Sequence, residues 1–423
     1  MTSTPAQIES EREVAVRRDR DDPAGAIRER FHLPMGRDGR PKAYLAGQSL
    51  GAQPKAARAA VEERLDAWAR LGVDGWWDPE RPWVDVEREL AASTGRLVGA
   101  SPAEVTTANT LSIDLHLLLA SFFRPSGARR KILIDAPTFP SDRYVVESQL
   151  RHHGLDPGDD LIVVRPRPGE DLIRPDDLDE AIDRHRDELA VTLLAGVNYA
   201  TGQAFDVRRH TAAAHAAGAM AIWDLAHATG NIALSLHDDG IDAAAWCTYK
   251  YLNSGPGALA QLFVHERHAT DPATPRLAGW WGNDPTTRFR MSETFEPGGG
   301  ADGFRVSTPP ILSLAPIAVS LAIFDEVGMP ALRARSVELT GELERLVDAF
   351  VPDTTIVTPR DPLRRGSQLS LRVADADARQ RALEALDVVA DMREPDLIRL
   401  APVPLYCSFE DVWRAADALR RAA

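Results

Sequence analysis

Between Ser101 and about Phe263, short and nearly continuous apolar runs alternate with stretches of helical period. The runs are KILIDA (131–136), DLIVVRP (160–166), AVTLLAGVN (190–198), AMAIWDLA (219–226), AAAWCTY (243–249) and ALAQLFV (258–264). Strands that are apolar on both faces and separated by helices predict a mostly parallel sheet covered on both sides. The last two runs lie too close together for a helical crossover, which predicts one antiparallel pairing. Ahead of them, YLAGQSLGAQPK (44–55) predicts a short strand and a Gly/Pro turn, followed by a helix from Pro54 to about Gly72. Residues 1 to about 30 read as a charged helical arm, which either frays or docks. A Gly/Pro-rich loop containing tryptophans spans about 275–310, and IAVSLAIFDEVGM (317–329) starts a long helix. The shorter runs TTIVTP, SQLSLRV, LDVVADM and LIRLAPVPLY, with helices among them, predict a small α+β domain at the C-terminal end. The expected organisation is an arm over 1–43, a large α/β domain over 44–315 and a small domain over 316–423.

Composition narrows the function more than the fold. The chain has 423 residues, enough for two domains or for one large domain with a satellite. Its 49 basic and 63 acidic residues leave a net charge of −14, which disfavours nucleic acid and anionic membrane as partners. Two cysteines, Cys247 and Cys407, make neither a disulfide framework nor a thiolate zinc site. The first residues mix acids and bases without an apolar core, and the apolar stretch Leu115–Phe123 is too short for a membrane helix. A cytoplasmic protein is expected.

Two motif matches fail on context. Gly298-x-Gly300-x-x-Gly303 fits a dinucleotide fingerprint, but Pro297 precedes it and FRVSTPP follows, where a strand and a helix are needed. Gly47-x-Ser49-x-Gly51 fits a hydrolase nucleophile elbow, but it precedes most of the sheet and Pro54 follows closely. Turn glycines explain both.

A more productive pair is Asp224, at the end of a strongly apolar strand in WDLAH, and Lys250, after the next apolar strand in CTYKYLN. Strand carboxyl ends face the ligand crevice in a doubly wound sheet. A lysine among Tyr and Leu neighbours is expensive to bury as an ammonium unless it is paired, neutralised or covalently engaged. Asp224 as a helix cap and Lys250 as a solvent-seeking lysine are the plain alternatives. Taken together, a Schiff-base lysine and a carboxylate for a pyridinium nitrogen are the minimal apparatus of a pyridoxal phosphate (PLP) enzyme. The hydroxyl-rich stretch Thr106–Ser112 opens an apolar helix and suits a phosphate, or is an ordinary cap. Phe139, between prolines after a strand, can stack on a flat ring or fill the core.

The ordered landmarks YLAGQSLGAQPK, KILIDAPTFPSDRYVVESQL, NYATG, WDLAHATGN, CTYKYLNSGPG, GWWG, TRF, GFRVSTPPI and RLAPVPLY resemble the kynureninase family, fold type I PLP enzymes, from about Tyr44 to the C-terminal end. The resemblance implies the aspartate aminotransferase-like fold and a homodimer with shared active sites. It implies hydrolysis of L-kynurenine, and of 3-hydroxykynurenine, to anthranilate or its 3-hydroxy form and alanine. By the same resemblance Lys250 is the Schiff-base lysine, Asp224 the partner of the ring nitrogen and His227 a cofactor contact. Leu111, through its backbone, and Ser112 form the phosphate turn. Phe139 stacks on the ring, Asp142 and Ala195 are further cofactor contacts, and Tyr249 and Trp280 are phosphate ligands. Thr308 lies near cofactor and substrate, the Trp280 and Thr308 positions serving the neighbouring subunit. Arg399 grips the substrate α-carboxylate. Trp76 and Thr308 stand where some relatives carry His and Asn, which favours kynurenine over its 3-hydroxy form; Gln48 and Ser49 line the same pocket or only shape a turn. Tyr249 is a candidate proton relay. The competing expectations are a class V aminotransferase, a cysteine desulfurase using Cys407, and a catalytically silent PLP-binding protein.

Overall fold

In the computed structural model, which describes residues 4–422, the charged arm is a helix, α1 (Pro5–Asp21), begun by a capping box on Thr4. A two-residue strand, β1 (Ala43–Tyr44), follows, then α2 (Ala56–Leu71) and α3 (Val86–Val98). The central part runs β2 (Val105–Ala108), α4 (Leu111–Phe122), β3 (Lys131–Asp135), α5 (Pro140–His152), β4 (Leu161–Val164) and β5 (Leu189–Ala195). It continues through β6 (Met220–Asp224), β7 (Ala243–Cys247) and β8 (Ala260–Val264).

These strands form one seven-stranded sheet in the order β2-β8-β7-β6-β5-β3-β4. β3 pairs in parallel with β4 and β5, and the parallel run continues through β6 to β7. Strand β8 runs antiparallel to β7, the pairing expected from the short connection, and also to β2, a second antiparallel pairing that was not expected. All five residues of β7 and of β8 are buried, which is why each reads as an unbroken apolar run. The six expected runs thus all become strands. The sequence reading missed β2: it took Thr106 and Thr107 for helix-opening hydroxyls, whereas their β-branched side chains sit in an edge strand, with the helix starting after Thr110.

The expected long helix is two. The first, α6 (Ile311–Val327), begins before the expected position and carries Pro316 inside it; the second, α7 (Met329–Phe350), is bent from it by 84° at Gly328, whose φ of +78° glycine adopts without strain. Among the described residues no single helix is long and apolar enough to cross a membrane. Beyond them β9 (Thr355–Ile356), β10 (Leu369–Arg372), β11 (Val388–Val389), β12 (Asp391–Arg393) and β13 (Leu397–Leu400) precede the final helix α8 (Phe409–Arg421). Four of these strands make an antiparallel sheet, β9-β10-β13-β12, while β11 pairs in parallel with β1.

The arm is docked rather than frayed. Ala15 is buried, and Trp413 on α8 donates to the Ile8 carbonyl. The Asp19 carboxylate accepts from the backbone N–H groups of Phe409 and Glu410, so an acid from the arm sits on the positive end of the last helix. Arg335 on α7 pairs with Asp22 at 2.6 Å.

Candidate active site

The carboxyl ends of β3, β5 and β6 place Asp135, Ala195 and Asp224 side by side, since Ala195 is directly opposite Asp224 in the parallel register. The chain reaches β4 on one side of β3 and then returns to β5 on the other, so a crevice opens at this switch in strand order. Lys250 follows the end of β7 and turns into the same crevice. A cavity of about 150 Å³ results, lined among others by Leu111, Ser112, Phe139, Asp142, Ala195, Asp224, His227, Tyr249 and Lys250. Nine of the positions expected from the sequence are therefore brought together. The glycine-rich turn before α2 closes on this loop: the Gly51 N–H donates to the Tyr249 carbonyl at 2.8 Å, and a Cβ at Gly51 would collide with the Lys250 carbonyl.

Charge in the cavity is concentrated and buried. Lys250 Nζ lies 5.6 Å from the centre of the Phe139 ring and 6.0 Å from that of Tyr249. The Asp224 carboxylate accepts from the Ala226 N–H at 2.8 Å and lies beside the Asp142 carboxyl. Burial drives the Asp142 carboxyl well above the usual carboxylate range, the neighbouring Asp224 adds to this, and Lys250 opposes it. Burial holds the His227 imidazole well below its ordinary value, helped by the Lys250 and Arg399 cations, so the ring is neutral. Its buried Nδ1 has no hydrogen-bond partner, nor has Asp142 Oδ1. Burial also raises the Tyr249 phenol, as does its bond to Cys247, so it remains protonated.

This donor set fits pyridoxal phosphate. A buried pair of carboxyls facing one cavity calls for a cationic ring nitrogen, and Phe139 offers a ring face. Helix α4 begins without a side-chain cap on Thr110, so its first N–H groups and the Ser112 hydroxyl, 2.6 Å from that of Ser141, are available to a dianion.

The remaining expected residues lie outside the cavity. Arg399 is 1% exposed and reaches the cavity wall through Tyr199, donating from Nη1 to its carbonyl at 2.6 Å. Its Nη2 meets Ser49 Oγ at 3.0 Å and Asp391 Oδ2 at 2.8 Å. Gln48 beside Ser49 is buried with both amide atoms unpaired. Trp76 is wedged between Trp83 and Trp281, at ring separations of 5.6 and 5.7 Å, and Trp280 is 47% exposed against Phe289. Thr308 lines a second cavity with Asn109 and Arg305, which shares Thr110 with the first. Cys407 is fully buried, its thiol pushed up to about 12 by that burial, and it donates to the Tyr44 carbonyl. Such a thiol is no nucleophile, which removes the basis for a desulfurase. Ser49 is tied to Arg399 and Asp391 in a turn and has no histidine partner among its hydrogen bonds.

Sequence reasoning gave no role to Asn198 or Asp135. Asn198 accepts from the N–H groups of Ala200 and Thr201 and from the Thr201 hydroxyl, and donates to Asp135 and the Pro137 carbonyl. It fixes the turn that carries Tyr199. An Asn three residues ahead of a Thr-Gly pair is an Asx-turn signal that was available in NYATG.

Comparison with known proteins agrees with this geometry. A family profile described as kynureninase C-terminal domain matches residues 332–419. The kynureninase of Salinispora tropica is 50% identical over 420 residues, covering 98% of this chain and 97% of its own length. That of Myxococcus xanthus is 49% identical over 419 residues, covering 99% and 98%. Among solved structures, a cysteine desulfurase from Escherichia coli superposes with a TM-score of 0.77 at 16% identity, covering 95% of this chain and 98% of its own. A C-DES variant with glycine covalently linked to its PLP cofactor gives 0.75 at 16% identity, covering 89% and 96%. At that identity the likeness establishes the fold, the one expected for fold type I.

Proposed function

The chain belongs to the kynureninase family, and from that premise we propose which of its residues carry the reaction and how. The activity is the PLP-dependent hydrolysis of L-kynurenine to anthranilate and L-alanine. The observation that carries our assignment is the single cavity in which Lys250, Asp224, Asp142, Phe139 and the open end of α4 meet.

Once bound, the cofactor supplies a protonated ring that takes up the electrons released at the substrate α-carbon. Lys250 would hold the cofactor through its aldehyde, and its amine, once free, would take the proton from the substrate Cα. Asp224 holds the proton on the ring nitrogen, and Asp142 shields that contact from water. Phe139 stacks on the ring, and His227 and Ala195 pack around it, the imidazole adding no positive charge. Leu111 N–H and the Ser112 hydroxyl bind the phosphate. Arg399 holds the α-carboxylate through its planar fork. Hydrolysis leaves the oxygen of water on the anthranilate carboxylate and requires a proton at Cβ of alanine. We assign Tyr249 to deliver that proton, since it lines the same cavity with its ring 6.0 Å from Lys250 Nζ.

We further propose a homodimer in which Trp280 and Thr308 serve the partner's site. Their position outside the chain's own cavity and the exposure of Trp280 support this. Trp76 and Thr308 stand where some relatives carry His and Asn, a change that supports kynurenine over 3-hydroxykynurenine as the preferred substrate. We propose the same division into an arm over 1–43, a large domain over 44–315 and a small one over 316–423. We propose likewise a cytoplasmic location and a place in tryptophan breakdown by the kynurenine route, which also feeds NAD biosynthesis. The deciding experiment is an absorption spectrum of the PLP-loaded protein before and after kynurenine, with anthranilate followed by fluorescence. A spectral change with anthranilate release is expected; an unchanged spectrum and no fluorescence would refute the assignment.

A further inference from the structure

The residue opposite Arg399 has no assigned role. Strands β12 and β13 pair antiparallel with Asp391 directly across from Arg399, so both side chains leave the same face of the sheet. Asp391 Oδ2 lies 2.8 Å from Arg399 Nη2, and Ser49 Oγ donates to the same carboxylate oxygen while accepting from the same nitrogen at 3.0 Å. The other carboxylate oxygen, Oδ1, stands 2.6 Å from Arg393 Nη1. Arg393 is 38% exposed, whereas Arg399 is 1% exposed.

A guanidinium has two edges on which a carboxylate can bind with both oxygens, Nε with Nη2 and Nη1 with Nη2. Both need Nη2. Nη2 already donates a hydrogen bond to Ser49 and stands in an ion pair with Asp391 at 2.8 Å, while Nε is buried with no partner. A substrate carboxylate that takes Arg399 on the Nε edge must therefore displace one of them. Ser49 is neutral and compatible with an added anion. Asp391 is not, because two carboxylates would crowd one buried cation. It already contacts a second cation to which it can withdraw.

We propose that Asp391 is a stand-in for the substrate α-carboxylate: it occupies Arg399 in the empty site and passes to Arg393 when substrate arrives. The inference rests on the assignment of Arg399 as the carboxylate-binding residue. Asp391 is in these terms a positioning residue. It keeps the guanidinium aimed and compensated between turnovers, and it competes with every ligand that brings a carboxylate.

Competition predicts opposite effects for its two ends. In the PLP-loaded enzyme, Asp391→Asn keeps the shape but removes the charge, so KM for kynurenine should fall about tenfold, the change expected when a charged hydrogen-bond competitor becomes a neutral one. Arg393→Met removes the second resting place, so KM should rise several-fold. The inhibition constant of the decarboxylated amine of kynurenine, which keeps the ring and amino group, should not move in either variant. A KM that rises or stays level in Asp391→Asn overturns the proposal, as does an equal movement of the amine. Arg399→Met separates the underlying assignment. If it leaves the preference for kynurenine over the amine intact, Arg399 does not bind the carboxylate. If the preference collapses while Asp391→Asn has no effect, only the stand-in role fails.

Discussion

Asn198→Ala tests whether the turn behind the cavity sets both stability and the reach of Arg399. The side chain makes five hydrogen bonds, two as donor to Asp135 and Pro137 and three as acceptor from Ala200 and Thr201. At about 1 kcal/mol each they contribute roughly 5 kcal/mol, and water entering the vacated space recovers part, leaving a loss of about 3 kcal/mol. The loss should depend on pH. Burial lifts Asp135 to about 6, although bonds from the Ala195 N–H and the Asn198 amide partly oppose this. Removing the amide lifts it further. A carboxyl with a raised folded value is neutral, and without penalty, below its unfolded value; the penalty is present in full above the folded one. The deficit of the variant should therefore be larger near pH 8 than near pH 5, by on the order of 1 kcal/mol. Urea unfolding followed by tryptophan fluorescence at the two pH values measures it. Because the Tyr199 carbonyl receives Arg399, KM for kynurenine should rise as well. A loss below about 1 kcal/mol, or one larger on the acid side, would refute the reasoning.

Three further outcomes are expected. Lys250→Ala should abolish the visible absorption of covalently held cofactor and the release of anthranilate, both read on the purified protein; a yellow, active variant would contradict the assignment. For Asp242, burial pushes the carboxyl up, but bonds from His215, His268, Arg267 and the Ala221 N–H outweigh it and hold it far below the usual range. Its contribution is thus present above about pH 4 and lost on acidification, and Asp242→Asn should lower stability near neutrality by about 3–5 kcal/mol in a denaturation series. Trp76→His combined with Thr308→Asn should shift the ratio of kcat/KM toward 3-hydroxykynurenine, and an unchanged ratio would remove both residues from specificity.

The strands of the large sheet were open to reading, though not their order, because strands buried on both faces leave an unbroken apolar signal, as β7 and β8 do. Strand β2 was hidden because threonines serve equally at a helix start and in an edge strand. Lys250 and Asp224 were readable because charge after an apolar strand is costly unless it has a task. Asp391 was not readable. Its significance comes from the pairing of two strands and from a serine far away in the chain, and nothing near residue 391 announces either. The separation of Trp280 and Thr308 from the cavity is likewise a matter of tertiary placement.

The clasp between the arm and the final helix has a consequence for biosynthesis. Asp19 seats on the N–H of Glu410, 391 positions downstream. At ordinary ribosomal speeds of about 5–20 residues per second, roughly 20–80 s pass before the partner is made. Helix α1 must wait out that interval before the segment that helps to cover Ile8 and Ala15 has been made.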